Sequence, residues 1–159
     1  MARVHASGIF IVRKDGKLLI CHPTNHASNF FSIPKGKIEE GESKLEAGIR
    51  ETFEETNIEL KGTTDFHVHE LESVGYKSGK KTLHSFLYME KLISTFDWEN
   101  TEIKCNSNVE PERGGFPEMD GYEWVELEEA RELLHETQVV CLTKIKELIR
   151  QHGFGFTRG

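Results

Sequence analysis

An α+β fold, with a mixed sheet carrying helices on its two faces, is what this chain of 159 residues predicts. Three observations point there: an apolar hairpin signal opens the chain, an amphipathic helical pattern follows it, and two more helical patterns close it after a second hairpin. Elements in that order layer as helices against a sheet.

Taken in sequence, residues 5–12 and 17–22 are apolar, β-branched runs separated by Lys14-Asp15-Gly16, and an Asp-Gly pair between such runs signals a β-hairpin. Residues 23–29, rich in Asn, Ser and His, read as a loop, and residues 30–33 as a short strand stopped by Pro34. The helix comes next, then a brief strand at 58–60 and a longer one at 66–76. Lys77-Ser78-Gly79-Lys80 turns the chain into a strand at 82–92. His67, His69 and His84 alternate with apolar neighbours in that hairpin and read as ordinary strand residues rather than metal ligands. Residues 96–117, with several Asn, Gly and Pro, form a long irregular connection. A loop of that length serves as a binding lid about as often as it has no special role. Residues 122–125 form a last strand, 128–135 a short helix and 138–151 a longer one with Val139, Leu142, Ile145 and Leu148/Ile149 on one face. The Gly-rich residues 153–159 read as a flexible tail.

The length suits a single domain over residues 1–159. No apolar run approaches the roughly 18 residues of a membrane helix, and the first residues carry no secretory pattern, so no membrane partner and a cytoplasmic location are expected. Cys21, Cys105 and Cys141 are far apart and lack C-x-x-C spacing, which fits reduced thiols. A net charge of −7 disfavours a nucleic-acid polymer as partner but not a small phosphate-rich molecule, whose charge a bound cation offsets.

The informative stretch is Gly36–Ile58, with seven glutamates in 23 residues. Leu45, Ile49 and Phe53, with Thr52 and Thr56 offset beside them, recur at helical spacing. Ser43 and Glu46 form a capping-box pattern, and Asn57 stands where a left-handed cap ends a helix. Glu51, Glu54 and Glu55 are three and four residues apart, so their carboxylates share one side of the helix and repel one another. Most acidic runs are solvated faces. A hard divalent cation, however, is held by such a carboxylate group together with substrate phosphates.

The spacing decides between these readings. Gly36, Glu42, Arg50, Glu51, Glu54, Glu55 and Ile58 resemble the Nudix hydrolase box, G-x5-E-x7-R-E-U-x-E-E-x-G-U, where U is apolar. Thr52 at the first apolar position and Asn57 at the second glycine depart from it, and neither change touches a charged position. The resemblance implies an α/β/α sandwich and a metal-dependent pyrophosphohydrolase using Mg²⁺, with Mn²⁺ as substitute. It implies a metal site built from Glu51, Glu54, Glu55 and the carbonyl of Gly36, with Arg50 orienting the glutamates and Glu42 pairing with Arg50 or completing an outer shell. Glu39, Glu40 and Glu46 read as solvent-exposed. The segment Glu118–Trp124 looks like the E-x5-W stretch of many Nudix hydrolases, which makes Glu118 a base or an extra metal ligand. An ordinary loop carboxylate is an equal reading for Glu118, and Trp124 reads as core.

The substrate must be recognised outside the box. Pro34-Lys35-Gly36 resembles the dinucleoside polyphosphate and diphosphoinositol polyphosphate hydrolases. Tyr76 lies where dinucleoside polyphosphate hydrolases carry a Tyr, and its ring suits stacking on a base. Lys35, Lys77 and Lys81, with Lys80, suit a long phosphate chain, although a lysine-rich turn serves solubility equally well. The expected substrate is a small nucleotide of the diadenosine tetraphosphate class, acted on by a monomer or homodimer. Diphosphoinositol polyphosphates or other nucleotide derivatives are the alternative, and a catalytically silent ligand-binding Nudix module is a third reading.

Overall fold

The structure, a computed structural model, describes residues 3–152. The tail expected at residues 153–159 lies outside the described residues. Seven strands, β1 (Val4–Val12), β2 (Leu18–Pro23), β3 (Lys35–Lys37), β4 (Phe66–Glu70), β5 (Val74–Gly75), β6 (Lys81–Glu90) and β7 (Met119–Val125), form one mixed sheet. The order is β4-β6-β1-β2-β7, with β3 also beside β1 and β5 also beside β6. Only β1 and β6 run parallel, paired from Val4–Lys81 to Val12–Met89.

β1 is buried from Ala6 to Val12, a run apolar apart from Ser7, as a strand covered on both faces requires. Its side chains alternate between two cores. Phe10 and Val12 join Leu18, Ile20, Leu87 and Met89 against the C-terminal helices. Ile9 and Ile11 join Leu19, Phe86 and Tyr88 on the face of the helix after β3, where Ile58, Leu60, Trp98 and Trp124 complete the packing. The hairpin closes as expected, with Gly16 at φ 86° and the Asp15 carboxylate accepting the Lys17 N–H at 3.1 Å.

Helix α1 (Lys44–Thr56) starts on a complete capping box: Ser43 Oγ accepts the Glu46 N–H at 3.0 Å and Glu46 Oε1 accepts the Ser43 N–H at 2.8 Å. It ends on Asn57 at φ 66°. Its deepest face is not the apolar stripe. Ala47, Gly48, Glu51, Thr52, Glu55 and Thr56 are buried, whereas Leu45 and Ile49 pack at the margin and Phe53 remains 40 % exposed. Close approach explains this. A Cβ on Gly48 would lie 3.0 Å from Ser7 Oγ and 3.1 Å from Ile9 Cγ1, so small residues let the helix backbone settle on β1.

Several element boundaries differ from those expected. Residues 30–33 make only isolated bridges, Cys21–Ser32 and Phe31–Leu134. Pro34 is followed by β3, whose Lys35, Gly36 and Lys37 pair with Gly8, Ser7 and Ala6. Ile58 and Leu60 are buried as core plugs without strand pairing, and the expected strand at 66–76 breaks at Leu71, which turns into the core. Helix α2 (Leu127–Ala130) is shorter than expected. The last helix is two: α3 (Glu136–Val139) and α4 (Leu142–Gln151). Gln138 belongs to α3 because its side chain is buried, accepting the Ile33 N–H at 3.0 Å and donating to Ser32 Oγ at 3.1 Å.

Replacing Gly48 by Val tests the seam between α1 and β1. Overpacking there is expected to cost ~1–3 kcal/mol, read as a lowered thermal midpoint by circular dichroism.

Candidate active site

The C-terminal half of α1, strand β3 and the start of β7 meet at one acidic centre. Gly36 on β3 passes directly over the Glu51 carboxylate, and a Cβ there would fall 2.1–2.3 Å from its atoms. Only glycine leaves that carboxylate in its place. Glu51 is 9 % exposed and Glu55 1 %, an unusual burial for two carboxylates on one helix. Arg50 gathers the charge around them. Its Nε donates to Glu42 Oε2 at 2.6 Å, and Nη1 donates to Glu51 Oε2 at 2.9 Å and Glu54 Oε2 at 3.1 Å. Nη2 reaches Glu42 Oε1 at 3.1 Å and the Lys37 carbonyl at 3.0 Å. The box residues Glu42, Arg50, Glu51 and Glu54 are thus one hydrogen-bonded network, and Glu42 is held ionised by Arg50.

Glu55 stands deeper and is less well compensated. It accepts the Lys35 N–H at 3.3 Å, a long bond for a carboxylate. Burial pushes its proton affinity well up, and the neighbouring Glu51 and Glu118 charges push it further. Glu51 is raised too, chiefly by burial, with Arg50 opposing. Tyr122 on β7 fixes the backbone of this turn by donating its hydroxyl to the Glu55 carbonyl at 2.5 Å.

Among the described residues no three acidic, histidine or cysteine side chains already converge on one cation position, because Arg50 draws Glu51 and Glu54 to itself. The donor chemistry nevertheless fits a hard divalent ion. The donors are all oxygen, two of them are buried like charges, and Glu55 has no strong partner of its own.

Beside this centre lies a cleft of about 400 Å³ lined by Lys35, Glu55, Tyr76, Lys81 and Glu118. Five of the residues singled out from the sequence therefore share one cavity. Glu54 does not; it faces a neighbouring cavity with Arg50, Phe53 and Asn106. Lys77 does not line it either. Tyr76 and Lys81 pair across the base of the turn, whereas Lys77 leaves from its tip, 86 % exposed, and meets Glu136 at 3.4 Å. His67, His69 and His84 also lie off the cleft, the first two against His152 and the third against His5.

Other lining residues went unrecognised in the sequence. His26 and Phe30 stack at 5.1 Å with a 19° interplanar angle, and His135 lies 5.2 Å from the Tyr76 ring, over which Lys81 Nζ sits at 4.9 Å. Arg113 and Phe116 come from the long connection before β7. The four-residue spacing of His26 and Phe30 is the one local cue; the others are brought in by tertiary structure alone.

Residues 1–145 match the family model of the NUDIX domain. The chain belongs to the Nudix hydrolases. An RNA pyrophosphohydrolase of Pelagibacter ubique is 24 % identical to it over 155 residues, covering 91 % of this chain and 89 % of the relative. One from Bartonella henselae is 31 % identical over 134 residues, covering 76 % and 75 %. Among solved structures, a binary complex of a C. elegans Ap4A hydrolase superimposes with a TM-score of 0.67 at 21 % identity, over 92 % of this chain and 98 % of that one. That likeness establishes the α/β/α sandwich of the Nudix fold. Nudix enzymes work with a divalent metal, and in this member Glu51 and Glu55 are the buried glutamates of the box. No described helix is long and apolar enough to cross a membrane.

The raised Glu51 and Glu55 carboxyls set the pH dependence of the metal-free Nudix domain. The folded chain keeps these protons where the unfolded chain has lost them, so the contribution of these two groups to stability is full below the ordinary carboxylate value and is lost as pH rises through the raised ones. In EDTA the thermal midpoint should fall as pH rises above the ordinary carboxylate range. Glu55→Gln should flatten that slope and raise the midpoint at the alkaline end; an unchanged slope would mean that Glu55 is not the strained group.

Proposed function

We propose that this Nudix hydrolase cleaves a phosphoanhydride bond of a dinucleoside polyphosphate such as diadenosine tetraphosphate, with Mg²⁺ as its cation and Mn²⁺ able to replace it. The observation that carries this reading is the cleft itself. Two aromatic pairs, His26–Phe30 and Tyr76–His135, line one cavity with Lys35, Lys81 and the acidic centre. A molecule with a base at each end and a phosphate chain between them matches that arrangement, since aromatic rings stack on bases and ammonium groups meet phosphates.

Glu51, Glu54, Glu55 and the Gly36 carbonyl would hold the cation, which when bound offsets phosphate charge and makes water a better nucleophile. Arg50 aims Glu51 and Glu54 through its paired bonds. Lys35 and Lys81 fix the phosphate chain. Glu118 enters the cleft beside Glu55 from the end of the long connection, placed to accept a proton from the attacking water or to add a further oxygen ligand. Tyr76 binds a base.

A second reading has a specific observation behind it: both curated relatives described above are RNA pyrophosphohydrolases. The phosphate chemistry would be the same, with the 5′ end of an RNA replacing one nucleoside. The net charge of −7 favours the smaller substrate, because tracking a polymer backbone calls for basic surface.

A panel of diadenosine tetraphosphate, 5′-triphosphorylated RNA and a diphosphoinositol polyphosphate, assayed with Mg²⁺ at alkaline pH, separates these substrates. Mononucleotide release from the first is expected to dominate, and none would remove the proposal. Glu54→Gln should lower kcat at least a hundredfold with the circular dichroism spectrum unchanged, the scale of losing a metal-platform ligand. Tyr76→Ala should raise KM for diadenosine tetraphosphate roughly tenfold with little change in kcat.

A further inference from the structure

The last turn of a helix presents carbonyl groups that no later helical N–H can reach. In α1 these are taken by the long connection leading to β7. Asn106 donates its backbone N–H to the Glu54 carbonyl at 2.6 Å and its side-chain amide to the Phe53 carbonyl at 3.0 Å, and the Lys104 N–H reaches the Thr56 carbonyl at 3.2 Å. Asn57 adds two bonds that a glycine could not make. Its Oδ1 accepts from Asn106 Nδ2 at 2.9 Å, and its Nδ2 donates to the Glu102 carbonyl at 2.9 Å.

Those bonds are not needed to end the helix. A residue at φ 66° caps it by backbone geometry, and glycine adopts that geometry more readily than asparagine. What the amide adds is a hold on the connection. Beyond Asn106 the chain doubles back, with the Val109 N–H on the Phe116 carbonyl at 2.8 Å and the Glu118 N–H on the Ser107 carbonyl at 3.1 Å. The far side of this loop is tied to β2 and its exit, where the Thr24 N–H meets the Glu118 carbonyl at 3.0 Å and Thr24 Oγ1 meets the Pro117 carbonyl at 2.5 Å. Between those posts, the tip delivers Arg113 and Phe116 to the cleft.

We propose that Asn57 and Asn106 form a clasp that sets the Val109–Phe116 loop over the polyphosphate cleft, making Asn57 a positioning residue for substrate rather than a neutral replacement of the box glycine. The proposal deepens the nucleotide reading and rests on it for its kinetic arm. The clasp works through populations. A loop held in place before substrate arrives spares the substrate the cost of ordering it, so loosening the loop raises the apparent dissociation constant by the fraction of competent molecules lost. Saturating substrate restores the loop, and turnover at saturation stays close to that of the parent.

The test is Asn57→Gly, which keeps the left-handed cap and restores the box residue, alongside Asn106→Ala and the double variant. Two readouts are taken. Amide hydrogen exchange of residues 102–117, without substrate, should quicken in Asn57→Gly while α1 and β1 keep their protection. KM for diadenosine tetraphosphate should rise roughly fivefold with kcat within about twofold, and the double variant should be no worse than Asn106→Ala, as expected of partners in one interaction. Unchanged exchange in Asn57→Gly overturns the clasp. Faster exchange with an unchanged KM overturns its positioning role. A parent enzyme that does not turn over diadenosine tetraphosphate refutes the substrate reading instead; KM is then taken on whichever substrate of the panel is cleaved, and the same split decides.

Discussion

Two glutamates buried on one helix against a β-strand are the constraint around which this molecule is arranged. Glu51 and Glu55 reach the seam because α1 lies close on β1, and it lies close because Ala47 and Gly48 occupy the contact. A side chain at Gly36 would push the Glu51 carboxylate from its place. Buried like charges are costly unless something answers them. Arg50 answers Glu51, and Tyr122 steadies the turn that carries Glu55. A pocket of carboxylates this poorly neutralised offers oxygen donors of the kind a divalent cation takes, and the packing of the helix holds them in place.

The sheet explains why the site lies where it does. β1 is shared: Ala6–Gly8 pair with β3 on one side and β6 on the other, and Val12 meets the start of β2. Helix and Gly36 strand are thereby registered on one central strand, and the start of β7 reaches them through its pairing with β2. Selectivity is assembled separately from connections that cross the sheet ends: the turn between β5 and β6, the residues after β2, and the long stretch before β7. The acidic centre supplies reactivity, and these loops choose what reaches it.

Much of this was legible in the chain itself because it depends on local rules. The capping box, the Asp-Gly hairpin and the spacing of Arg50, Glu51, Glu54 and Glu55 are short-range patterns, and all appear as expected. Errors arose where tertiary contact overrules local preference. The stripe of Leu45, Ile49 and Phe53 suggested the buried face of α1, yet the helix turns its small and acidic residues inward, since proximity to β1 outweighs apolar area there. Pro34 suggested the end of a strand and instead precedes one, because β1 offers a free edge at Ala6–Gly8. Lys77 and Lys81 are equivalent in composition but point apart across a turn. His135 and Arg113 enter the cleft from elements far away in sequence, and no periodicity encodes that.

Arg50 has a consequence for how the protein handles metal. With its guanidinium bonded to Glu42, Glu51 and Glu54, the chain carries its own cation at the place where the proposed one would bind. Loading the site is therefore an exchange of counterions rather than the filling of a bare anionic hole. The free energy of uptake would then be the difference between two ion pairings.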